Sequence, residues 1–217
     1  MKASRFPSGP RAGFTLIELL VVMGIISILI VLSAAALRSI TAAGDLDSVA
    51  DNMKSSMELA RQEAMTQNRE TEFRLYVDRE TVGGTSRDKL VAYQTVIVGN
   101  TGSGVPVNQQ QPNIQISQVQ PLPASVDAMT SQSTMMPVGG ENRDPFTDGW
   151  VEPGGNYYYI RFSPNGSAES PSGGGRWTLT LVNAEHADKP NTTDINFATL
   201  ELQPLTGRIR IERPEAE

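Results

Sequence analysis

The chain contains no cysteine, so neither a disulfide framework nor a thiolate metal site is available to it. It has a single histidine, His186, set in the polar stretch NAEHADKPN, which reads as a loop residue rather than a base or metal ligand lacking convergent partners. There is no nucleophile elbow, Walker loop or His-rich metal spacing. Gly173-Gly174-Gly175 precedes a strand-like segment rather than a helix, and so is a loop and not a phosphate cradle. Asp144, Asp148 and Glu152 are oxygen ligands in principle, but their spacing matches no defined calcium loop. These features favour a protein that is not an enzyme, and they imply no metal and no cofactor. Acidic residues are absent from the first 17 positions, where Lys2, Arg5 and Arg11 are the only charges. Beyond them no basic patch occurs in a chain of net charge −6, which argues against nucleic acid as a partner.

What is present is an apolar run of 24 residues, Phe14 to Leu37, holding one carboxylate, Glu18. At about 1.5 Å per residue, a helix of that length crosses a hydrocarbon core roughly 30 Å thick. Its basic flank keeps the short N-terminus cytoplasmic and sends the long C-terminal part across the membrane. An ordinary secretory signal peptide is the competing reading. Its apolar region would span about 7–15 residues and end at a small-residue site, and Ala34-Ala35-Ala36 is the nearest match here. The length of the run and Glu18 both speak against it. A lone acid in a membrane-length helix costs roughly 2.5–3.5 kcal/mol to insert, and so marks a functional site.

The segment Gly13-Phe14-Thr15-Leu16-Ile17-Glu18 resembles the processing site of type IV prepilins and type II secretion pseudopilins. That resemblance implies cleavage after Gly13 by a prepilin peptidase and methylation of the new N-terminus at Phe14. Residues 1–13 would be a leader whose removal takes three positive charges and shifts the net charge from −6 to −9. Glu18 would then pair with the Phe14 amine, either of a neighbouring subunit, which sets axial register, or of its own chain. Gly24, Ser27 and Ser33 would allow close helix approach. Ser33-Ala34-Ala35 stands where many pilins carry a proline.

Further on, Leu46, Val49, Met53, Met57, Ala60 and Ala64 recur at spacings of three and four, the stripe of an amphipathic helix. Asp47, Asp51, Lys54, Glu58, Arg61 and Gln62 form the solvated face, with Asp47 and Asp51 mutually repulsive. Gly44 is expected to interrupt the helix, as a bend or a frayed turn, with Asp45 capping a fresh start. The helix should end by Asn68. Strands follow at 71–78 and 89–98, a short one at 114–119, then 157–162, 176–182, 197–202 and 207–211. Residues 99–113 and 127–156 are expected to be irregular.

The stretch LARQEAMTQNRETEFRLYV, with the C-terminal pieces IRFSPNGSA and LELQPLTGRIRI, resembles GspH/FimT-type pseudopilins, and most narrowly the Verru_Chthon cassette protein D group. The expected fold is α+β and pilin-like, a long N-terminal helix packed on a twisted antiparallel sheet. Its divisions would be a 1–13 leader, a 14–37 membrane or filament-core helix, a 38–68 continuation and a 69–217 periplasmic domain. The implied partners are prepilin peptidase, other pilin or pseudopilin subunits and the inner membrane. A membrane-tethered periplasmic binding module, exported by the same route, is the alternative.

Overall fold

The computed structural model describes residues 15–82, 85–99, 113–136, 142–143, 156–169, 177–187 and 196–213; the side chains of 31–43, 82, 85–86 and 142–143 lie outside that description. The chain forms two compact units, Met1–Thr41 and Ala42–Glu217. Helix α1 (Leu16–Gln67) has residues in both. It runs through Gly44 without the expected interruption. One glycine costs a helix about 1 kcal/mol, too little to break one whose following turns are packed. Asp45 does not cap a new start; its carboxylate accepts from Ser125 Oγ at 2.6 Å.

The helix stops where the sequence reading placed it. Asn68 takes a left-handed backbone, φ 51°, and the amide of Arg69 donates to the carbonyl of Ala64. This 6→1 bond is the Schellman closure, and asparagine tolerates the left-handed position better than most residues. Thr71 Oγ1 then donates to the carbonyl of Ala60 at 2.7 Å, holding the first strand against the last helical turns.

In the second unit the expected stripe is buried. Leu46, Val49, Met53, Met57, Ala60 and Ala64 are each at most 6% exposed. They share one core cluster with Phe73, Leu75, Tyr158, Ile160, Phe162, Leu179, Leu181, Leu200 and Leu202. Those partners come from two antiparallel sheets. The first, seven-stranded among the described residues, has the path β3 (Ile114–Gln115), β2 (Thr85–Ile97), β1 (Thr71–Val82), β7 (Asn156–Phe162), β6 (Asn142–Arg143). Off it, β4 (Gln120–Pro121) pairs with β2 and β8 (Ala168–Glu169) with β7. The second has four strands in the order β11 (Arg208–Glu212), β10 (Phe197–Gln203), β9 (Trp177–Asn183), β5 (Val126–Ala128).

β1 alternates, with Phe73, Leu75 and Val77 on one face, and its other face is buried as well: Glu72, Arg74 and Tyr76 are 3%, 3% and 2% exposed. Val119 packs over Tyr76 together with Ala92 and Tyr157, while Glu72 and Arg74 are held by each other, by Arg161 and by the Tyr157 ring. Ser117 binds the Val119 segment in place, its carbonyl accepting from Gln94 Nε2 and its hydroxyl from the Thr95 amide. One expectation is corrected here, that 127–136 would be irregular. The amides of Met129 and Met135 donate to the carbonyls of Thr180 and Thr178, so this stretch prolongs the β5 edge of the second sheet. The remainder of 99–113 and 127–156 lies almost wholly outside the described residues.

Candidate assembly site

Gly13 and Phe14 lie outside the described residues. The description starts at Thr15, and the first turn of α1 shows how Glu18 is set. Its amide donates to Thr15 Oγ1 at 3.3 Å and to the Thr15 carbonyl at 3.1 Å. Thr15-Leu16-Ile17-Glu18 therefore makes half of a capping box, in which a threonine hydroxyl satisfies the amide three residues on. The sequence signature for this was present in the T-x-x-E spacing. The Glu18 side chain is exposed, and an acid in the first turn is favoured by the positive end of the helix dipole.

From Leu16 to Ile30 twelve large apolar side chains are between 46% and 82% exposed. They point to all sides of the helix, so no rotation hides them from water. Ser27 Oγ donates to the Met23 carbonyl at 2.8 Å, so its hydroxyl is satisfied within the helix, and nothing stands within 4 Å of a Cβ built at Gly24. Among the described residues no helix is long and apolar enough to cross a membrane.

The three motifs that carried the sequence resemblance meet in space. Arg61, from the helix motif, was expected on the solvated face; instead it is half-buried and donates from Nε to the Gly166 carbonyl at 3.1 Å. Gly166 belongs to the SPNG turn after β7 and Gly207 to the PLTG turn between β10 and β11. Both have left-handed backbones, φ +84° and +62°. A Cβ at Gly207 would run into the Gly166 carbonyl and lie 2.8 Å from Arg61 Cδ. The turns are further joined by the Ala168 amide donating to the Pro204 carbonyl at 2.7 Å. Helix and both sheets are thus knotted at one point by a guanidinium and two glycines. Spacing alone gave no sign of this, because the three segments are far apart in the chain.

The buried charges are arranged for structure. Glu72 accepts from Arg74 at 2.9 Å and from Arg161 at 2.7 Å, and those guanidiniums lie over the rings of Tyr157 and Tyr159. Asp127 is buried where β5 meets β2, accepting from the Leu90 and Ala128 amides, with Arg87 at 3.1 Å. Burial raises its pKa above the ordinary aspartate value, and the two amides and Arg87 oppose that shift. His186 is half-buried in a 3₁₀ turn, Ala184–His186. Among the described residues no group of three His, Cys, Asp or Glu could hold a metal, and Asp144, Asp148 and Glu152 lie outside them.

An exposed apolar helical segment, continued by a striped segment that buries its face among residues of two antiparallel sheets, is the architecture of a pilin-like subunit. Residues 9–34 match the prokaryotic N-terminal methylation motif and residues 49–198 match type II transport protein GspH, so the chain belongs to the GspH family. That family is structural rather than enzymatic. No curated protein matches the chain. Among solved structures, it is similar to the type IV minor pilin FimU of Pseudomonas aeruginosa strain PAO1, at 17% identity and a TM-score of 0.43, over 80% of this chain and 95% of that one.

Proposed function

We propose that the chain is a minor pilin or pseudopilin, a structural subunit of a type II secretion or type IV pilus-like filament. The observation that carries this reading is the exposed apolar helix Leu16–Ile30. Burying its twelve large side chains stabilises by something on the order of 10–20 kcal/mol, and only lipid or neighbouring helices can supply that burial. The two environments succeed one another in such a filament: the inner membrane before assembly, packed subunits after it.

Residues 1–13 are the leader, 14–37 the anchor and filament-core helix, 38–68 its continuation and 69–217 the periplasmic domain. Prepilin peptidase cuts after Gly13 and methylates Phe14, and the resulting amine is one helical turn from Glu18. The exposed Glu18 carboxylate supports a role beyond its own chain, since the capping bond to Thr15 uses only the Glu18 backbone. In an apolar setting a carboxylate needs a cationic partner, and the amine of an adjoining subunit supplies one as each subunit is added.

Glu18→Val is the test. The substitution leaves the apolar helix intact, and mass spectrometry should still find Phe14 at the N-terminus. Filament content, relative to total membrane-bound protein, should fall at least about tenfold because the neighbour's amine is left unpaired. Equal incorporation would overturn the register role of Glu18. An intact Met1–Gly13 leader in cells with active prepilin peptidase would overturn the processing assignment.

A further inference from the structure

With no cysteine in the chain, methionine carries all of its sulfur chemistry. Met53, Met57, Met129, Met135 and Met136 are each at most 3% exposed. Met65 is 42% exposed, and the unit Ala42–Glu217 has no other exposed methionine among its described residues. An oxidant in solution therefore reaches the Met65 thioether while the core closes off the others. Access of this kind decides which sulfur reacts.

Met65 also stands beside the knot of Arg61 and the two glycine turns. Its Sδ is 3.0 Å from the place a Cβ would take on Gly166, and Arg61 Nη2 and Nε are 3.2 and 3.4 Å from that same point. The side chain that Gly166 lacks thus leaves one hollow, shared by a thioether and a guanidinium. Arg61 and Met65 are four residues apart in α1 and so neighbours on one face, which brings both to that hollow. Arg61 Nε donates to the Gly166 carbonyl at 3.1 Å. A thioether is a weak acceptor and does not compete for that donor. A sulfoxide is polar, and its oxygen accepts well from a charged guanidinium.

We propose that Met65 is an oxidant-sensing site of the folded unit, whose sulfoxide draws the Arg61 guanidinium off the Gly166 carbonyl and loosens the knot. The oxidant is a peroxide. The Sδ lone pair attacks one peroxide oxygen, and an S–O bond forms as the O–O bond breaks. The second oxygen leaves as water with both hydrogens of hydrogen peroxide. Sulfur loses two electrons and the peroxide gains them, and a sulfoxide reductase restores the thioether. The turns at 163–167 and 203–207 loosen first, since one is bonded to Arg61 and the other to the first through the Ala168 amide and the Pro204 carbonyl. The site lies within the domain and needs neither the Phe14 amine nor Glu18.

The full chain in detergent is treated with hydrogen peroxide, the parent beside Met65→Leu, which keeps the bulk and forms no sulfoxide. Peptide mass spectrometry should find oxygen added at Met65 at least about tenfold faster than at Met53, Met57, Met129, Met135 or Met136. Any oxidation at Met23, which both proteins retain, cancels in the comparison. Treatment should lower the parent's melting temperature by roughly 3–6 °C, reversibly with a methionine sulfoxide reductase, and leave Met65→Leu unmoved. In Arg61→Ala, which lacks the guanidinium, the same treatment should shift melting by less than half as much. Amide exchange in the oxidised parent should quicken at least about threefold at Gly166, Ala168 and Gly207, and stay unchanged at 158–160 in β7. Met65 reacting no faster than the buried methionines overturns the proposal. So does a Met65 sulfoxide that leaves exchange at the two turns as it was, or a melting shift undiminished in Arg61→Ala.

Discussion

The two parts of α1 differ in composition and meet opposite fates: Leu16–Ile30 carries one charged residue, Leu46–Ala64 carries six. From Leu16 to Ile30 every large apolar side chain is at least 46% exposed, while from Leu46 to Ala64 the stripe residues are at most 6% exposed. The difference lies in arrangement as well. The second part sets most of its apolar residues at spacings of three and four, so one stripe faces the sheets, and acids, bases and amides occupy most of the rest, where Leu59 is 38% exposed. The first part is apolar on all sides, which no single domain surface can cover. A helix of that kind draws its environment from outside its own chain, and a striped one from within it.

The sharpest way to break this comparison is a matched pair of truncations. Met57 is fully buried in the main core, so Met57→Ala should cost the domain about 2–5 kcal/mol. Leu20 is 65% exposed, and Leu20→Ala should leave the domain's melting transition where it was. Thermal or denaturant unfolding of the full chain in detergent, followed by near-ultraviolet dichroism, reads both. A comparable loss from Leu20→Ala would show that the apolar part stabilises the domain directly.

Glycines sharpen the contrast next. At Gly207 the left-handed backbone and the pressure of Gly166 and Arg61 make Gly207→Ala cost about 2–3 kcal/mol. Gly44, inside α1, has nothing within 4 Å of its would-be Cβ, so Gly44→Ala should stabilise by up to about 1 kcal/mol through helix propensity. Opposite signs in the same unfolding assay are expected. A neutral Gly207→Ala would mean that the knot around Arg61 yields at little cost.

The helix stripe, the helix end and the long strands were readable because each rests on local periodicity or a local stop signal, as Asn68 does. Glu18 was readable as a lone acid in an apolar run, although its backbone bond to Thr15 went unread. What local pattern could not supply was cover from distant segments. Nothing beside Tyr76 announces that Val119 will pack on it, and nothing beside Arg61 announces two glycine turns more than a hundred residues on. Arg61 looked solvated because its helical position is solvated; its guanidinium reaches sideways to Gly166. The fourth strand of the second sheet was missed for a related reason: Val126–Ala128 is too short to show alternation, and its place is fixed by pairing with β9.

The smallest expected effect concerns the wet side of the striped part. Asp47 and Asp51 are one turn apart and repel, and Arg213, just past β11, lies 2.9 Å from one and 3.3 Å from the other. All three side chains are between 42% and 64% exposed, so solvent screens the cluster heavily. Arg213→Ala should therefore cost no more than about 1 kcal/mol, and the loss should shrink in 1 M salt, where the Debye length is about 3 Å. Asp51→Asn removes the repulsion as well as one arm of the bridge. In the Arg213→Ala background it should be neutral or slightly stabilising, and in the parent slightly destabilising. That change of sign is the coupling a double-mutant cycle isolates, about 0.2–1 kcal/mol for an exposed pair. Additive effects within about 0.3 kcal/mol would show that Arg213 rests beside the helix without tying β11 to it.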